Sequence, residues 1–157
     1  MDGNIYLIFA VAGRRYALPA VDVERISPAA ELTEGPSGLA GVRGIANVGG
    51  EAAAVADLRA PEGPPFPEME LCDRFVFFRK LGRLWGVVAE EVEGAAPLVA
   101  DRVTSRDEKD GGTGVFEVAF DAPGKTGILL RTPENILSVS EDDLSLLEPF
   151  LLPAGGE

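Results

Sequence analysis

Few residues in this chain could support chemistry, and each has a simpler structural interpretation. Gly124-Lys125-Thr126 matches the end of a phosphate-binding loop. That loop requires glycine where Ala119 stands, and a helix should follow where the sequence continues Gly127-Ile128-Leu129. The pattern therefore favours a hairpin turn over a nucleotide site.

Acidic residues cluster at two places. The segment 107–112, Asp-Glu-Lys-Asp-Gly-Gly, lacks the alternating spacing of a calcium-binding loop, so a solvated loop is favoured. Glu90, Glu91 and Glu93 could be considered as a general acid/base pair. Their valine neighbours place them instead on the solvent side of a strand turn. Neither cluster predicts a catalytic centre.

The chain contains no histidine and a single cysteine, Cys72. Histidine-assisted nucleophiles, the H-E-x-x-H zinc site and a phosphorelay through this chain are thereby excluded. One cysteine can form neither a thiolate zinc site nor an internal disulfide, which suits a reducing cytoplasm. Carboxylate or lysine catalysis is the remaining enzymatic option. Because the missing residues weaken the case for catalysis without excluding it, we expect a protein that is not an enzyme and uses no cofactor or metal.

Charge and hydropathy limit the partners. The net charge of −12 and the pI near 4.4 disfavour nucleic acids and anionic membrane surfaces. The longest apolar run, residues 5–12, is too short to cross a bilayer. We expect no nucleic-acid partner and no direct membrane insertion.

The elements that would position any site follow a pattern that occurs twice, 69 residues apart. Each copy has an apolar strand, a glycine-containing basic turn, a second strand with an aromatic residue, and a Val-Glu pair. The copies are Tyr6–Phe9, Gly13–Leu18 and Val23-Glu24, then Phe75–Phe78, Gly82–Val87 and Val92-Glu93. We interpret them as two similar β half-domains, with Tyr16 and Trp85 as equivalent core aromatics.

Further strands complete each half. Residues 44–59 predict a strand pair with its turn at Gly49-Gly50, although the alanine-rich segment 51–56 also has helix propensity. In the second half, strand patterns cover Pro97–Val103, Val115–Phe120 and Gly127–Arg131, with a turn at 121–124 and a loop at 105–114.

We expect a single domain over residues 1–157, with halves at 5–60 and 73–137 joined by a proline-rich connector at 61–67. A short helix fits between Pro36 and Leu39. Near the C-terminus, Ser140 can cap a helix of about residues 141–148, with Leu144, Leu147 and Leu151 on one face.

The order of these motifs resembles the CheW family of chemotaxis coupling proteins from about Ile5 to Leu137. The family pattern is roughly G-x-x-N-L-R-G-x-x-x-P-V-x-D-L-R, followed by G-x-x-V-D-x-V-x-G. This chain has Gly-Ile-Ala-Asn-Val-Gly-Gly-Glu at 44–51, Val-Ala-Asp-Leu-Arg at 55–59, and Gly-Val-Val-Ala-Glu-Glu-Val-Glu-Gly at 86–94.

The resemblance implies a mainly β fold of two stacked, five-stranded, SH3-like barrels with short helices. It also implies a non-catalytic adaptor that bridges chemoreceptors to a CheA-type histidine kinase. Its expected partners are the regulatory domain of that kinase and the cytoplasmic tip of methyl-accepting chemoreceptors. The expected location is the cytoplasm, at receptor clusters by the inner membrane.

Candidate residues follow position by position from this resemblance. The receptor groove is assigned to Val23, Arg25, Gly44, Asn47, Val48, Gly49 and Gly50, and the kinase-facing surface to Leu7, Ala20 and Val23. Gly49 replaces the family arginine, which predicts a divergent paralogue. Leu7, Ala20 and Val23 have an alternative interpretation as core residues, and Gly44 and Gly50 as backbone turn positions.

An alternative function stays open at this point. A pocket between the two halves could hold a small molecule, which would make the chain a ligand-responsive regulatory domain. Retention of a small molecule would support that alternative, whereas co-purification of a kinase would support the adaptor.

Overall fold

The computed structural model describes residues 4–36, 39, 41–60, 63, 65–99, 101–107, 112–119, 127–137, 139 and 141–151. Its strands are β1 (Asn4–Val11), β2 (Arg14–Pro19), β3 (Val23–Pro28), β4 (Val42–Val48), β5 (Glu51–Ala56), β6 (Arg74–Lys80), β7 (Arg83–Ala89), β8 (Glu91–Leu98), β9 (Asp101–Asp107), β10 (Gly112–Ala119) and β11 (Ile128–Leu130). The helices are α1 (Glu141–Leu147) and two 3₁₀ turns, Ala20–Asp22 and Glu148–Phe150.

The strands form two sheets, one with the order β8-β1-β2-β11-β10-β9 and one with the order β3-β6-β7-β5-β4. The predicted class, mainly β with two sheets and a C-terminal helix, is confirmed. One sheet has six strands where five were expected, because β9 extends the β10–β11 hairpin outward. The segment 51–56 is a strand, since the Gly49-Gly50 turn pairs it with β4.

Each sheet takes strands from both halves of the sequence. β1 and β2 pair with β8 and β11, whereas β6 and β7 pair with β3 and β5. The arrangement is reciprocal: β5 joins β7 in parallel, and β11 joins β2 in parallel. The sequence repeat is therefore visible in the topology, but residues 5–60 and 73–137 interlock and do not each form one sheet.

The six-stranded sheet must curl until its two edges meet. β8 and β9 lie at opposite edges, yet only residues 99 and 100 separate the end of β8 from the start of β9. A link of that length spans at most about 10 Å. The predicted single strand over Pro97–Val103 is thus wrong, because the chain passes from one edge to the other there.

The hairpins that begin each copy have the same turn. Ala12 and Gly13 have φ of 54° and 80°, and Leu81 and Gly82 have φ of 55° and 75°. Positive φ at both central residues is the type I′ geometry that matches strand twist. The turn lies one residue before the expected Gly13-Arg14 position.

Two edge strands carry the same irregularity. The register shifts between Val23 and Arg25 on β3, and Glu93 is the extra residue where β8 pairs with β1. Each strand also contains a proline four residues after its bulged glutamate, Pro28 and Pro97. Bulges and prolines both interrupt the ladder of backbone hydrogen bonds, so the two copies of the pattern share the same interruption.

Alternation along the strands creates three apolar clusters. One lies within the six-stranded sheet and includes Ile8 and Ile128, and another lies within the five-stranded sheet and includes Phe75 and Phe77. The third is shared by both sheets and the C-terminus. Its members include Phe9, Leu18, Val76, Phe78, Trp85, Val87, Ile136, Leu137, Leu147 and Leu151.

The shared cluster confirms the expected core aromatics and the C-terminal helix. Trp85 is fully buried in this cluster, and Tyr16 packs against it. Leu147 and Leu151 belong to it while Leu144 packs beside it, as the one-sided leucine pattern predicts. Helix α1 ends at Leu147, and Pro149 lies in the following 3₁₀ turn.

Several sequence predictions fall partly or wholly outside the described residues. They are the short helix at 36–39, the Gly124-Lys125-Thr126 and 121–124 turns, and the Ser140 cap. The loop expected at 105–114 spans fewer residues than predicted, because β9 continues to Asp107 and β10 begins at Gly112. Residues 63 and 65–67 of the connector belong to no strand or helix.

Candidate functional site

The β4–β5 turn brings four of the predicted groove residues together. Gly49 and Gly50 have φ of 61° and 95°, which favours glycine at both positions. The Asn47 side-chain oxygen accepts a hydrogen bond from the Gly50 backbone N–H at 2.8 Å. Asn47, Gly49 and Gly50 are exposed, while Val48 packs against the core of the five-stranded sheet. The result is an exposed turn that a side-chain hydrogen bond stabilises.

Arg25 reaches this turn from β3. A Cβ built on Gly49 would have the Arg25 Nη1 atom as its nearest neighbour, at 3.8 Å. Arg25 is exposed and lies opposite Phe77 of β6. The Arg25 guanidinium therefore lies next to Gly49, the position at which the family pattern has arginine, although Arg25 and Gly49 are distant in sequence.

A network of charged side chains borders Arg25. The Arg79 Nε donates to Glu24 at 2.6 Å, and its two terminal nitrogens donate to Glu51 at 2.8 Å each. The hydrogen bond from Arg79 is the main cause that lowers the pKa of Glu51, and both carboxylates raise the pKa of Arg79. The surface beside the turn is thus ordered by one arginine and two glutamates.

Gly44 lies apart from the turn and has a packing role. A Cβ on Gly44 would approach the Leu32 Cβ and the Thr33 carbonyl oxygen to 2.7 Å each. Thr33 and Ile45 exchange backbone hydrogen bonds at 2.9 and 2.8 Å, which cover the outer edge of β4. Gly44 is therefore explained by the close approach of Leu32 and Thr33, and not by a backbone turn at this position.

The three kinase-facing candidates have different environments. Leu7 is 6% exposed and belongs to the shared core, so its side chain is not available to a partner. Val23 is half-buried against the same core. Ala20 begins a 3₁₀ turn in which Val21 is 93% exposed. Val21 is the accessible apolar residue here, and sequence reasoning missed it because its neighbours alternate like a buried strand.

A buried charged cluster was also missed from the sequence. Asp57 is 1% exposed and accepts hydrogen bonds from Arg59 at 2.8 and 2.9 Å and from Arg43 at 2.8 Å. Burial acts to raise the pKa of Asp57, but the Arg59 and Arg43 hydrogen bonds outweigh it and lower the pKa. The Asp-x-Arg pattern at 57–59 was the only available signal.

Glu90 connects this cluster to the other sheet. One carboxylate oxygen accepts from the Ala12 backbone N–H at 2.9 Å, and the other contacts Arg59 Nη1 at 3.3 Å. Glu93 forms a bidentate pair with Arg15 at 2.7 and 2.9 Å. Glu90 stabilises the junction of the sheets, whereas Glu93 links β8 to β2 within the six-stranded sheet. The two glutamates do not form an acid/base pair.

The described part of the chain offers little for catalysis or metal binding. It contains no group of three or more acidic, cysteine or histidine side chains that could hold a metal. Every buried side-chain nitrogen or oxygen described has a hydrogen-bond partner. Among the described helices, none is long and apolar enough to span a bilayer. Apolar side chains also fill the space between the sheets, which does not favour a ligand pocket there.

Comparisons with known proteins agree with this geometry. The profile of the CheW-like domain family matches residues 6–144. Among solved structures, the chain is similar to the scaffolding protein TtCheW from Thermoanaerobacter tengcongensis. The TM-score is 0.63 at 19% sequence identity, over 82% of this chain and 83% of that one. No curated protein matches the chain.

Proposed function

The chain belongs to the CheW-like domain family, and on that premise we propose that it couples the cytoplasmic tip of chemoreceptors to the regulatory domain of a CheA-type kinase. Proteins of this class are non-catalytic chemotaxis scaffolds. The proposal places this chain in the cytoplasm, at receptor clusters by the inner membrane.

One observation carries the proposal: an exposed turn, stabilised by a side-chain hydrogen bond, lies beside an exposed arginine. Asn47 holds the turn through the Gly50 N–H, and Arg25 lies next to Gly49. A fixed surface loses little conformational entropy on binding, which suits a docking site. In contrast, every buried side-chain nitrogen or oxygen of the described residues already has an internal hydrogen-bond partner.

A second surface supports a second partner. The Ala20–Asp22 turn presents Val21 at 93% exposure immediately before β3. Val21 lies between the kinase-facing candidates Ala20 and Val23, and its exposed side chain is the one that the kinase could contact there. The segment 20–25 thus connects the two proposed surfaces, which is the arrangement that an adaptor needs.

Gly49 supports the assignment of a divergent paralogue. The resemblance places arginine at this position, and the chain has glycine with φ of 61°. The positive charge near the turn comes here from Arg25 on another strand. We propose that this exchange alters which receptors bind.

Binding of two purified partners tests the function. The chain is titrated calorimetrically with a chemoreceptor cytoplasmic fragment and with the regulatory domain of a CheA-type kinase from the same genome. Micromolar dissociation constants are expected for both, as is common for transient interfaces. Val21→Ser should weaken kinase binding alone, whereas Leu71→Ser, at another almost fully exposed apolar residue, should change neither affinity. Absence of binding to both partners would refute the adaptor function.

A further inference from the structure

We propose that Arg25 is the anchor for a carboxylate on the docked chemoreceptor segment, so that the receptor segment seated at the β4–β5 turn is acidic at this point. This inference rests on the proposed function, because it names the chemistry of the partner expected at that turn. In this proposal, Arg25 favours receptor segments that carry a negative charge at the contact point.

Arg25 differs from the other cationic side chains that the structure describes. The others are engaged with carboxylates, with backbone carbonyls or with other described contacts: Arg14, Arg15, Arg43, Arg59, Arg74, Arg79, Lys80, Arg83 and Arg131. Within the described residues, Arg25 has no hydrogen bond or ion pair. An exposed guanidinium without an internal partner, in a chain of net charge −12, is available to an external anion.

The acidic residues that precede Arg25 in the chain and follow the turn are already paired with another residue. Glu24 precedes Arg25 at the β-bulge and Glu51 follows the turn, so either could otherwise neutralise it. Arg79 binds both, at 2.6 Å and at 2.8 Å. We infer that Arg79 is a positioning residue, which holds the two carboxylates away from Arg25 and keeps its charge available.

The missing side chain at Gly49 keeps the guanidinium accessible. Apart from Gly49 itself and the adjacent Val48 and Gly50, Arg25 Nη1 is the only described heavy atom within 4 Å of a Gly49 Cβ. A Gly50 Cβ would have no described heavy atom within 4 Å beyond Gly50 and its two chain neighbours. A carboxylate can therefore approach the planar guanidinium over the turn and accept two parallel hydrogen bonds, the arrangement that arginine favours.

Charge reversal tests the inference with the full chain. A chemoreceptor cytoplasmic fragment is titrated into the wild type, Arg25→Glu and Arg25→Lys at low and at high salt. Arg25→Glu should weaken binding at least about tenfold at low salt, and Arg25→Lys should weaken it less, since lysine keeps the charge but loses the bidentate geometry. Replacing one acidic residue of the fragment with arginine should restore binding to Arg25→Glu.

Two controls separate this role from a general loss of charge. Arg83→Gln removes an exposed arginine that pairs with Glu148 and should leave the affinity unchanged. Arg79→Gln frees Glu24 and Glu51 and should weaken binding, and adding Glu24→Gln and Glu51→Gln should restore it. A merely structural role of Arg79 would give no such restoration. Thermal unfolding of each variant confirms that it is folded.

The outcomes distinguish this inference from the proposed function. Equal affinity of wild type and Arg25→Glu for the receptor fragment would overturn the inference and leave the adaptor function intact. Loss of kinase binding alone in Arg25→Glu would also overturn it. No binding of either partner by the wild type would overturn both.

Discussion

Asp57 accepts hydrogen bonds from both Nε and Nη2 of Arg59, two residues later, with its carboxylate completely buried. The same carboxylate binds Arg43, and Arg59 continues to Glu90 at the junction with the second sheet. The pair therefore fixes the end of β5 where the two sheets meet.

Removal of the Asp57 charge should destabilise the protein strongly. Asp57→Asn removes the closest counterion of the buried Arg59 and leaves it the longer contact with Glu90. Breaking a buried pair of this kind costs up to about 3–5 kcal/mol. Urea unfolding should show this decrease in the free energy of unfolding. Glu51→Gln, which breaks an exposed pair with Arg79, should cost no more than about 1 kcal/mol. Similar losses in the two variants would contradict the burial argument.

The contribution of Asp57 should depend on pH in one direction. Its folded-state pKa lies below the ordinary value of 3.8, so the folded state favours the charged form more than the unfolded state does. The stabilisation is complete above pH 3.8 and is lost as the pH falls through the lower folded-state pKa. The difference in unfolding free energy between wild type and Asp57→Asn should therefore shrink only in acid. A difference that grew in acid would show the opposite shift.

Replacing Ala12 with asparagine should stabilise the first hairpin. Ala12 has φ of 54°, a left-handed conformation that asparagine tolerates better than alanine. We expect a gain of about 1 kcal/mol or less, seen as a melting temperature higher by about 2–4 °C. Ala12→Val should instead lower the melting temperature, because a β-branched residue is strained at positive φ.

Gly44→Ala should destabilise the protein through its packing and not through the turn. The new Cβ would lie 2.7 Å from the Thr33 carbonyl oxygen, a backbone atom that accepts a hydrogen bond from the Ile45 N–H at 2.8 Å. A loss of about 1–3 kcal/mol is expected in urea unfolding. Gly35→Ala provides the control, since its Cβ would have no neighbour closer than 3.6 Å. Equal effects of the two changes would contradict this role for Gly44.

Lys80→Met should loosen the segment before the C-terminal helix. The buried ammonium donates to the carbonyl oxygens of Pro133, Glu134 and Leu137 at 3.3, 2.8 and 3.0 Å. Methionine keeps the apolar stem and removes the three donors, so we expect a loss of about 1–3 kcal/mol. Hydrogen exchange should be faster around residues 133–137. Unchanged exchange there would indicate that packing alone holds the segment.

The sequence by itself determined the β class, the duplicated pattern, the turn at Gly49-Gly50 and the leucine face of the C-terminal helix. These features depend on local alternation and on glycine chemistry, which neighbouring residues specify. Hairpins such as β6–β7 were predictable for the same reason, since their strands are adjacent in the chain.

Only the tertiary structure decided which strands share a sheet, that Leu7 is buried, and that Arg25 reaches Gly49. The exchange of hairpins between the halves arises from pairing between residues such as Leu7 and Ala95, which no local pattern specifies. The buried Asp57 cluster and the engagement of Glu24 and Glu51 by Arg79 likewise depend on distant strands meeting. The sequence shows which charged side chains are present. Whether a charged side chain is available to a partner depends on the ion pairs and hydrogen bonds that it already makes within the fold.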